Sequence, residues 1–316
     1  MGKIAFVFPG QGSQSVGMGQ DLYNALPAAQ DYFDRANAAL GFSLSELIFQ
    51  GPEDQLKITY HTQPALLTTS IACLEAFKAA GITPDYVAGH SLGEYSALVA
   101  AGVLAFEDAV RTVRARGEFM EQAVPGGLGA MAAVLGAERG ALTELCTAIT
   151  SSGSVVELAN VNCPGQIVVS GSKEGVAAVV ERCKEAGAKR AIPLEVSGPF
   201  HSSLMKPASE RLAEVLASIE MNEAAVPVVA NVTARPVTQP SDIRGLLVEQ
   251  VYSPVLWEDT ISYLIGEGVD TFIELGSGTV LAGLIKKVDK TVKTVSIGSL
   301  EALDKYKQEV LNHVNG

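Results

Sequence analysis

The sequence predicts an α/β fold: a mostly parallel sheet covered by helices, with a small α+β unit inserted. Three observations carry this. Short apolar runs alternate with helical stretches from Lys3 to Ala101 and again from Leu204 to Lys287, the order that builds a parallel sheet with crossover helices. Between 126 and 197 the order changes to β-α-β-β-α-β, the split-βαβ, ferredoxin-like arrangement. A serine between two glycines, in Gly89-His90-Ser91-Leu92-Gly93-Glu94, stands at a strand-to-helix junction.

Taken in order, the apolar run Lys3–Phe8 is the first strand, and Asp31–Leu40 and Pro64–Ala80 are helices. Asp85–Ala88 is a short strand entering the serine turn, Leu92–Ala101 is the helix leaving it, and Phe106–Gln122 is a further helix. In the inserted unit Gly129–Leu135 is a strand and Glu138–Thr150 a helix. Strands Val155–Val161 and Gln166–Ser170, helix Lys173–Ala186 and strand Lys189–Val196 complete it. Gly126-Gly127 and Ser197-Gly198-Pro199 punctuate its ends. The expected division is therefore a discontinuous large domain, 1–125 and 198–316, and a small domain, 126–197. A cleft at their junction is a favoured place for a ligand. Helix Leu204–Ile219, strand Val226–Asn231, helices Asp242–Gln250 and Glu258–Gly266, strand Thr271–Leu275 and helix Val280–Lys287 follow.

The bulk properties exclude several classes. A hydrophobic content of 47% over 316 residues provides an ample core and argues against a disordered chain. No apolar run reaches the roughly 20 residues of a membrane span, and the N-terminus is strand-like with no signal-peptide cleavage site. A cytoplasmic protein is expected. Cys73, Cys146, Cys163 and Cys183 are widely spaced, and with only four histidines no metal site is expected. A net charge of −12 argues against nucleic acid as a partner.

Chemistry concentrates on Ser91. The glycines permit a tight elbow, and the helix that follows offers free N–H groups and its dipole to an oxyanion. Among the histidines, His90 adjoins the serine, His61 falls in a loop before a helix and His313 lies near the C-terminus. His201, in Ser197-Gly198-Pro199-Phe200-His201-Ser202, sits where the chain returns from the inserted unit, just before a helix, and is the candidate base. No carboxylate between them stands at a clear strand end, so a backbone carbonyl is expected to orient the imidazole. On helix Phe106–Gln122, Arg114 falls on a face with Glu107, Glu118 and Glu121. Arg116 falls beside the apolar stripe, among Ala109, Thr112, Phe119 and Met120. An inward guanidinium needs an anion, either a protein carboxylate or a substrate carboxylate. The loops Pro9-Gly10-Gln11-Gly12-Ser13-Gln14 and Leu275-Gly276-Ser277-Gly278-Thr279 fit neither the dinucleotide nor the Walker spacing.

Six stretches occur in one order: FPGQGSQ (8–14), GHSLGE (89–94), RGxxM (116–120), NVNxPxQ (160–166), GPFHS (198–202) and ELGxGxxL (274–281). Together they closely resemble the malonyl-CoA:acyl carrier protein transacylases over essentially the whole chain. The resemblance implies an α/β-hydrolase-like core with a ferredoxin-like subdomain. It implies Ser91 as acylated nucleophile, His201 as base, and the N–H groups of Gln11 and Leu92 as oxyanion donors. Arg116 would bind the malonyl carboxylate, and Gln250 would orient His201 through its carbonyl. Gln63, Asn160 and Asn162 would line the site, and Phe200 resembles the malonyl-selective form. The implied substrates are malonyl-CoA and the phosphopantetheine thiol of acyl carrier protein, with no cofactor, in a monomer. A polyketide transacylase, a serine esterase or thioesterase, and a non-catalytic carrier-docking subunit are the competing readings. Lys189-Arg190 and Lys286-Lys287 are candidate carrier contacts.

Overall fold

The computed structural model describes residues 2–314. Its strands are β1 (Lys3–Phe8), β2 (Tyr86–Gly89), β3 (Gly129–Leu135), β4 (Val156–Cys163), β5 (Gln166–Ser172), β6 (Arg190–Pro193), β7 (Val228–Val229), β8 (Pro236–Val237), β9 (Val255–Leu256), β10 (Val269–Leu275) and β11 (Lys293–Ile297). They form two sheets.

The first has the order β11-β10-β1-β2-β7-β8, parallel throughout except for β8. Strand periodicity explains why it is buried on both faces. Phe6 and Phe8 of β1 join the core that holds helices Pro27–Leu40, Thr59–Phe77 and Phe106–Gln122. Ala5 and Val7 point the other way, into the cluster of Trp257, Ile261 and Leu281.

The second sheet has the order β6-β3-β5-β4-β9. Its first four strands are antiparallel in the ferredoxin-like order. Helices Arg139–Ser151 and Lys173–Arg182 cover one face through Leu142, Ile149, Val176 and Val179. Strand β9 comes from much later in the chain and pairs parallel to β4, Asn160 opposite Val255. That ladder ties the second sheet to the body carrying the first.

Several elements differ from the sequence reading. Helix Thr59–Phe77 begins five residues before Pro64, so His61 lies in a helix and not in a loop. Pro64 has no N–H for the Tyr60 carbonyl one turn back, and Arg114 Nη1 donates to that carbonyl at 3.3 Å. The tertiary donor makes an interior proline tolerable. Helix Pro27–Leu40 likewise starts earlier than Asp31, with its proline at N1. Strand β6 ends at Pro193 and β7 keeps only two residues. Strand β11 and helix Leu300–Val314 went unread, since LysThrValSerIle is a mixed polar edge and, among the residues of the helix whose burial is described, only Leu303 and Tyr306 are buried. All four cysteines are buried free thiols.

Candidate active site

Strand β2 delivers the chain to Ser91 through a turn that only these residues allow. A Cβ on Gly89 would fall on the Gly93 carbonyl, and one on Gly93 would fall on the Phe8 carbonyl. Ser91 itself has φ +50°, a left-handed conformation that is uncommon outside glycine. It projects Oγ into a cavity of about 280 Å³ between the two sheets, lined among others by Gln11, Leu92, Asn160 and Phe200.

His201 meets it from the other side. Its Nε2 lies 2.7 Å from Ser91 Oγ, and its Nδ1 lies 2.8 Å from the Gln250 carbonyl oxygen. With Nδ1–H donating to that carbonyl, the tautomer leaves Nε2 as the acceptor facing the serine. Among the described residues no carboxylate contacts the ring. His201 is 4% exposed, and burial, then the nearby Arg116 charge, push its pKa down to about 3. The neutral imidazole is therefore the resident form at ordinary pH. His90 does not compete, because its Nε2 is engaged with Asn162 Oδ1 at 2.8 Å.

Arg116 lies inside the apolar stripe of helix Phe106–Gln122, with an exposure of 1%. Among the described residues it makes no salt bridge. Nη1 donates to Gln63 Oε1 at 2.7 Å, and Nη2 to Gln250 Oε1 at 3.0 Å and Ser91 Oγ at 3.2 Å. Nε is buried without an acceptor. Of the two partners left open by the sequence, a protein carboxylate is therefore not there. Arg114, by contrast, pairs with Glu118 at 2.7 Å, as its helix face suggested.

Gln11 and Leu92 also line the cavity, and neither backbone N–H has an acceptor among the described residues. Gln63 is buried behind Arg116. Asn160 and Asn162 on β4 line the cavity, as does Phe200, together with Met120, Met131 and Val196. The structure thus brings all ten sequence-derived residues to one place. Of the basic pairs, Lys287 Nζ donates to Gln166 Oε1 at the cavity wall and Lys286 Nζ to the Val292 carbonyl. Lys189 and Arg190 are exposed. A larger groove of about 500 Å³ beside Ser15, Gly278 and Ser299 contains no nucleophile–base pair, and its Asp21 is spent capping the Leu22 and Leu300 N–H groups.

Sequence reasoning missed two residues beneath the elbow. Asn231 Oδ1 accepts the Ser91 N–H at 2.7 Å, and its Nδ2 donates to the Gly89 carbonyl at 2.7 Å. Glu94 Oε2 accepts the Asn231 N–H at 3.1 Å and Gln250 Nε2 at 2.8 Å. Asn231 ends the expected strand Val226–Asn231, the carboxyl edge of a parallel sheet where site residues gather, and that position was the available signal.

Residues 5–314 match the family described as the acyl transferase domain. The chain belongs to that family. It is 59% identical to the malonyl CoA-acyl carrier protein transacylase of Bacillus subtilis, over 96% of each chain. Among solved structures it resembles an acyl carrier protein S-malonyltransferase from Vibrio cholerae, with a TM-score of 0.94 and 45% identity, covering 96% of this chain and 99% of the other. It also resembles a malonyl-transacylase solved in complex with its type II PKS acyl-carrier protein, with a TM-score of 0.94 and 43% identity, covering 97% and 99%. The family reached from the six sequence stretches is the family these relatives belong to, and the chain is an acyltransferase. Among the described residues no helix is long and apolar enough to cross a membrane, and no group of three or more His, Cys, Asp or Glu is placed to hold a metal ion.

Proposed function

We propose that this chain moves the malonyl group from malonyl-CoA to the phosphopantetheine thiol of an acyl carrier protein, through a malonyl-serine intermediate. The observation that carries the reading is Arg116: a buried cation, unpaired by any carboxylate among the described residues, 3.2 Å from a serine hydrogen-bonded to a neutral histidine. A buried charge of that kind calls for an anionic ligand. A malonyl carboxylate supplies it and brings the thioester carbonyl to Ser91.

His201 Nε2 takes the Ser91 proton as Oγ attacks the thioester carbon. The carbonyl oxygen becomes an oxyanion and is received by the N–H groups of Gln11 and Leu92. Collapse breaks the C–S bond, and His201 gives its proton to the departing coenzyme A thiolate. The carrier thiol then gives its proton to His201 and attacks the malonyl ester; the C–O bond breaks, and His201 passes the proton to the departing Ser91 Oγ, which regenerates the serine. Gln250 holds the imidazole through its carbonyl in place of a triad acid. Gln63 supports Arg116, and Asn160 and Asn162 line the acyl chamber.

The relatives' names support an acyl carrier protein as acceptor, and we take fatty-acid elongation as the use of the product. The complex with a polyketide carrier supports a second reading in which such a carrier is the acceptor. Comparing kcat/KM with the two carriers separates them. Within this proposal the enzyme is a cytoplasmic monomer, needs no cofactor beyond its thioester substrates, and divides into 1–125 with 198–316 and 126–197.

Intact-mass measurement after brief mixing with malonyl-CoA tests the chemistry. A malonyl adduct is expected on the native enzyme, absent from Ser91→Ala and strongly reduced in Arg116→Ala. Release of free malonate with no adduct would favour a hydrolase, and neither adduct nor turnover would favour a docking subunit.

A further inference from the structure

Two buried ionisable groups stand at the site without a direct ion-pair partner among the described residues, Arg116 and Glu94, and they meet through one amide. Gln250 Oε1 accepts from Arg116 Nη2 at 3.0 Å. Gln250 Nε2 faces three oxygens: Glu94 Oε2 at 2.8 Å, the Ser91 carbonyl at 3.0 Å and Asn231 Oδ1 at 3.2 Å. The reversed amide would set Oε1 against three acceptors and Nε2 against a guanidinium N–H, so only one orientation is satisfiable.

Of the three acceptors, Glu94 makes the shortest bond. Asn231 Oδ1 is already occupied by the Ser91 N–H. Glu94 is 2% exposed, in the first turn of helix Gly93–Ala100, where the helix dipole favours a carboxylate. The mechanism above does not use it. We propose that Glu94 is a positioning residue for Arg116: its Oε2 fixes the Gln250 amide, and the fixed Oε1 holds the guanidinium beside Ser91, ready for the substrate carboxylate. Glu94 touches no substrate and acts only through Gln250.

This inference rests on the reading of Arg116 as the carboxylate-binding group, so its test needs a substrate that does not use Arg116. Acetyl-CoA lacks the carboxylate and presents the same thioester to Ser91. Rates of Ser91 acylation by malonyl-CoA and acetyl-CoA are measured for the native enzyme, Glu94→Gln and Glu94→Ala. Glutamine keeps an oxygen acceptor at the same reach, and alanine removes it. The malonyl-to-acetyl ratio is expected to fall by about tenfold or more in Glu94→Ala, the scale of one charge-assisted hydrogen bond, and to stay within about threefold of native in Glu94→Gln. A general loss of structure would lower both rates together and leave the ratio unchanged, which would overturn the proposal. So would a ratio that collapses in Glu94→Gln as far as in Glu94→Ala.

Where Glu94→Ala does not fold, Glu94→Asp, which withdraws the acceptor by one methylene, gives the same comparison. A double-mutant cycle adds an independent arm. In Gln250→Leu the link is already cut, so a second change at Glu94 is expected to leave the ratio where it is, and additive effects would contradict the relay. A native enzyme with no preference for malonyl-CoA would instead refute the functional reading and this inference with it.

Discussion

Ser91 and His201 both occupy the left-handed region of backbone space, φ +50° and +57°, and their side chains meet there at 2.7 Å. Two strained residues in contact at the cavity are expected where a site over-determines its geometry. The strain at Ser91 is held by Asn231, which takes the Ser91 N–H and grips the Gly89 carbonyl.

That arrangement makes stability depend on which residue replaces the serine. Ser91→Gly removes the Cβ that disfavours φ +50°, whereas Ser91→Ala keeps it, and both abolish acylation. The glycine variant is expected to be more stable than the alanine variant by about 1 kcal/mol, or roughly 2 °C in Tm for a chain of this size. Equal melting temperatures, or a less stable glycine variant, would show that Ser91 is unstrained.

The second prediction concerns pH. Burial and the Arg116 charge hold His201 at about 3, against an ordinary 6.5. The neutral base persists well below pH 6, so kcat/KM for malonyl-CoA is expected to show no acid limb near 6.5. Removing the charge with Arg116→Met lets the His201 pKa rise, and the acid limb for acetyl-CoA is expected to move up toward the ordinary range. An inflection near 6.5 in the native enzyme would contradict the buried, neutral imidazole. The same shift has a stability consequence: below pH 6.5 the unfolded chain binds the proton that folded His201 refuses, so His201 contributes a loss of stability on acidification.

Much of this site was legible because its pieces are local. Gly89, Ser91 and Gly93 fall within five residues, and each is dictated by backbone sterics that a sequence states directly. Arg116 was placed inward by helix periodicity, but whether a carboxylate met it depended on residues far along the chain. Gln63, on another helix, and Gln250, 134 positions away, turned out to be its neutral supports. Asn231 and Glu94 escaped for the same reason: their roles rest on contacts 137 to 156 residues apart. The C-terminal β11 escaped differently, since an edge strand needs little apolar alternation and leaves little to read.

Phe200 gives a prediction on specificity. Its ring is 5% exposed and lines the cavity with Met120 and Met131, directly before the base. An α-methyl group on the acyl donor would have to share that space. Phe200→Leu shortens the wall with a modest loss of packing, and the ratio of methylmalonyl to malonyl transfer is expected to rise about tenfold, the scale of one methyl in a pocket. An unchanged ratio would place the discrimination elsewhere in the chamber.

The last prediction reads Glu94 through stability. Burial raises its pKa to about 7 from an ordinary 4.5, against the opposing pull of the Asn231 N–H, Gln250 and Arg116. Between those values folded Glu94 keeps a proton that the unfolded chain releases. The folded state therefore binds more protons, and the Glu94 contribution falls as pH rises from about 4.5 through about 7, the opposite sign to His201. Glu94→Gln removes the titration while keeping an acceptor for Asn231 and Gln250. Relative to the native enzyme, the glutamine variant is expected to gain stability on going from pH 5 to pH 8, by at most about 3 kcal/mol. Chemical denaturation of both proteins across that range measures it. A difference that does not change with pH would mean that Glu94 stays ionised throughout, its burial fully offset by the donors around it.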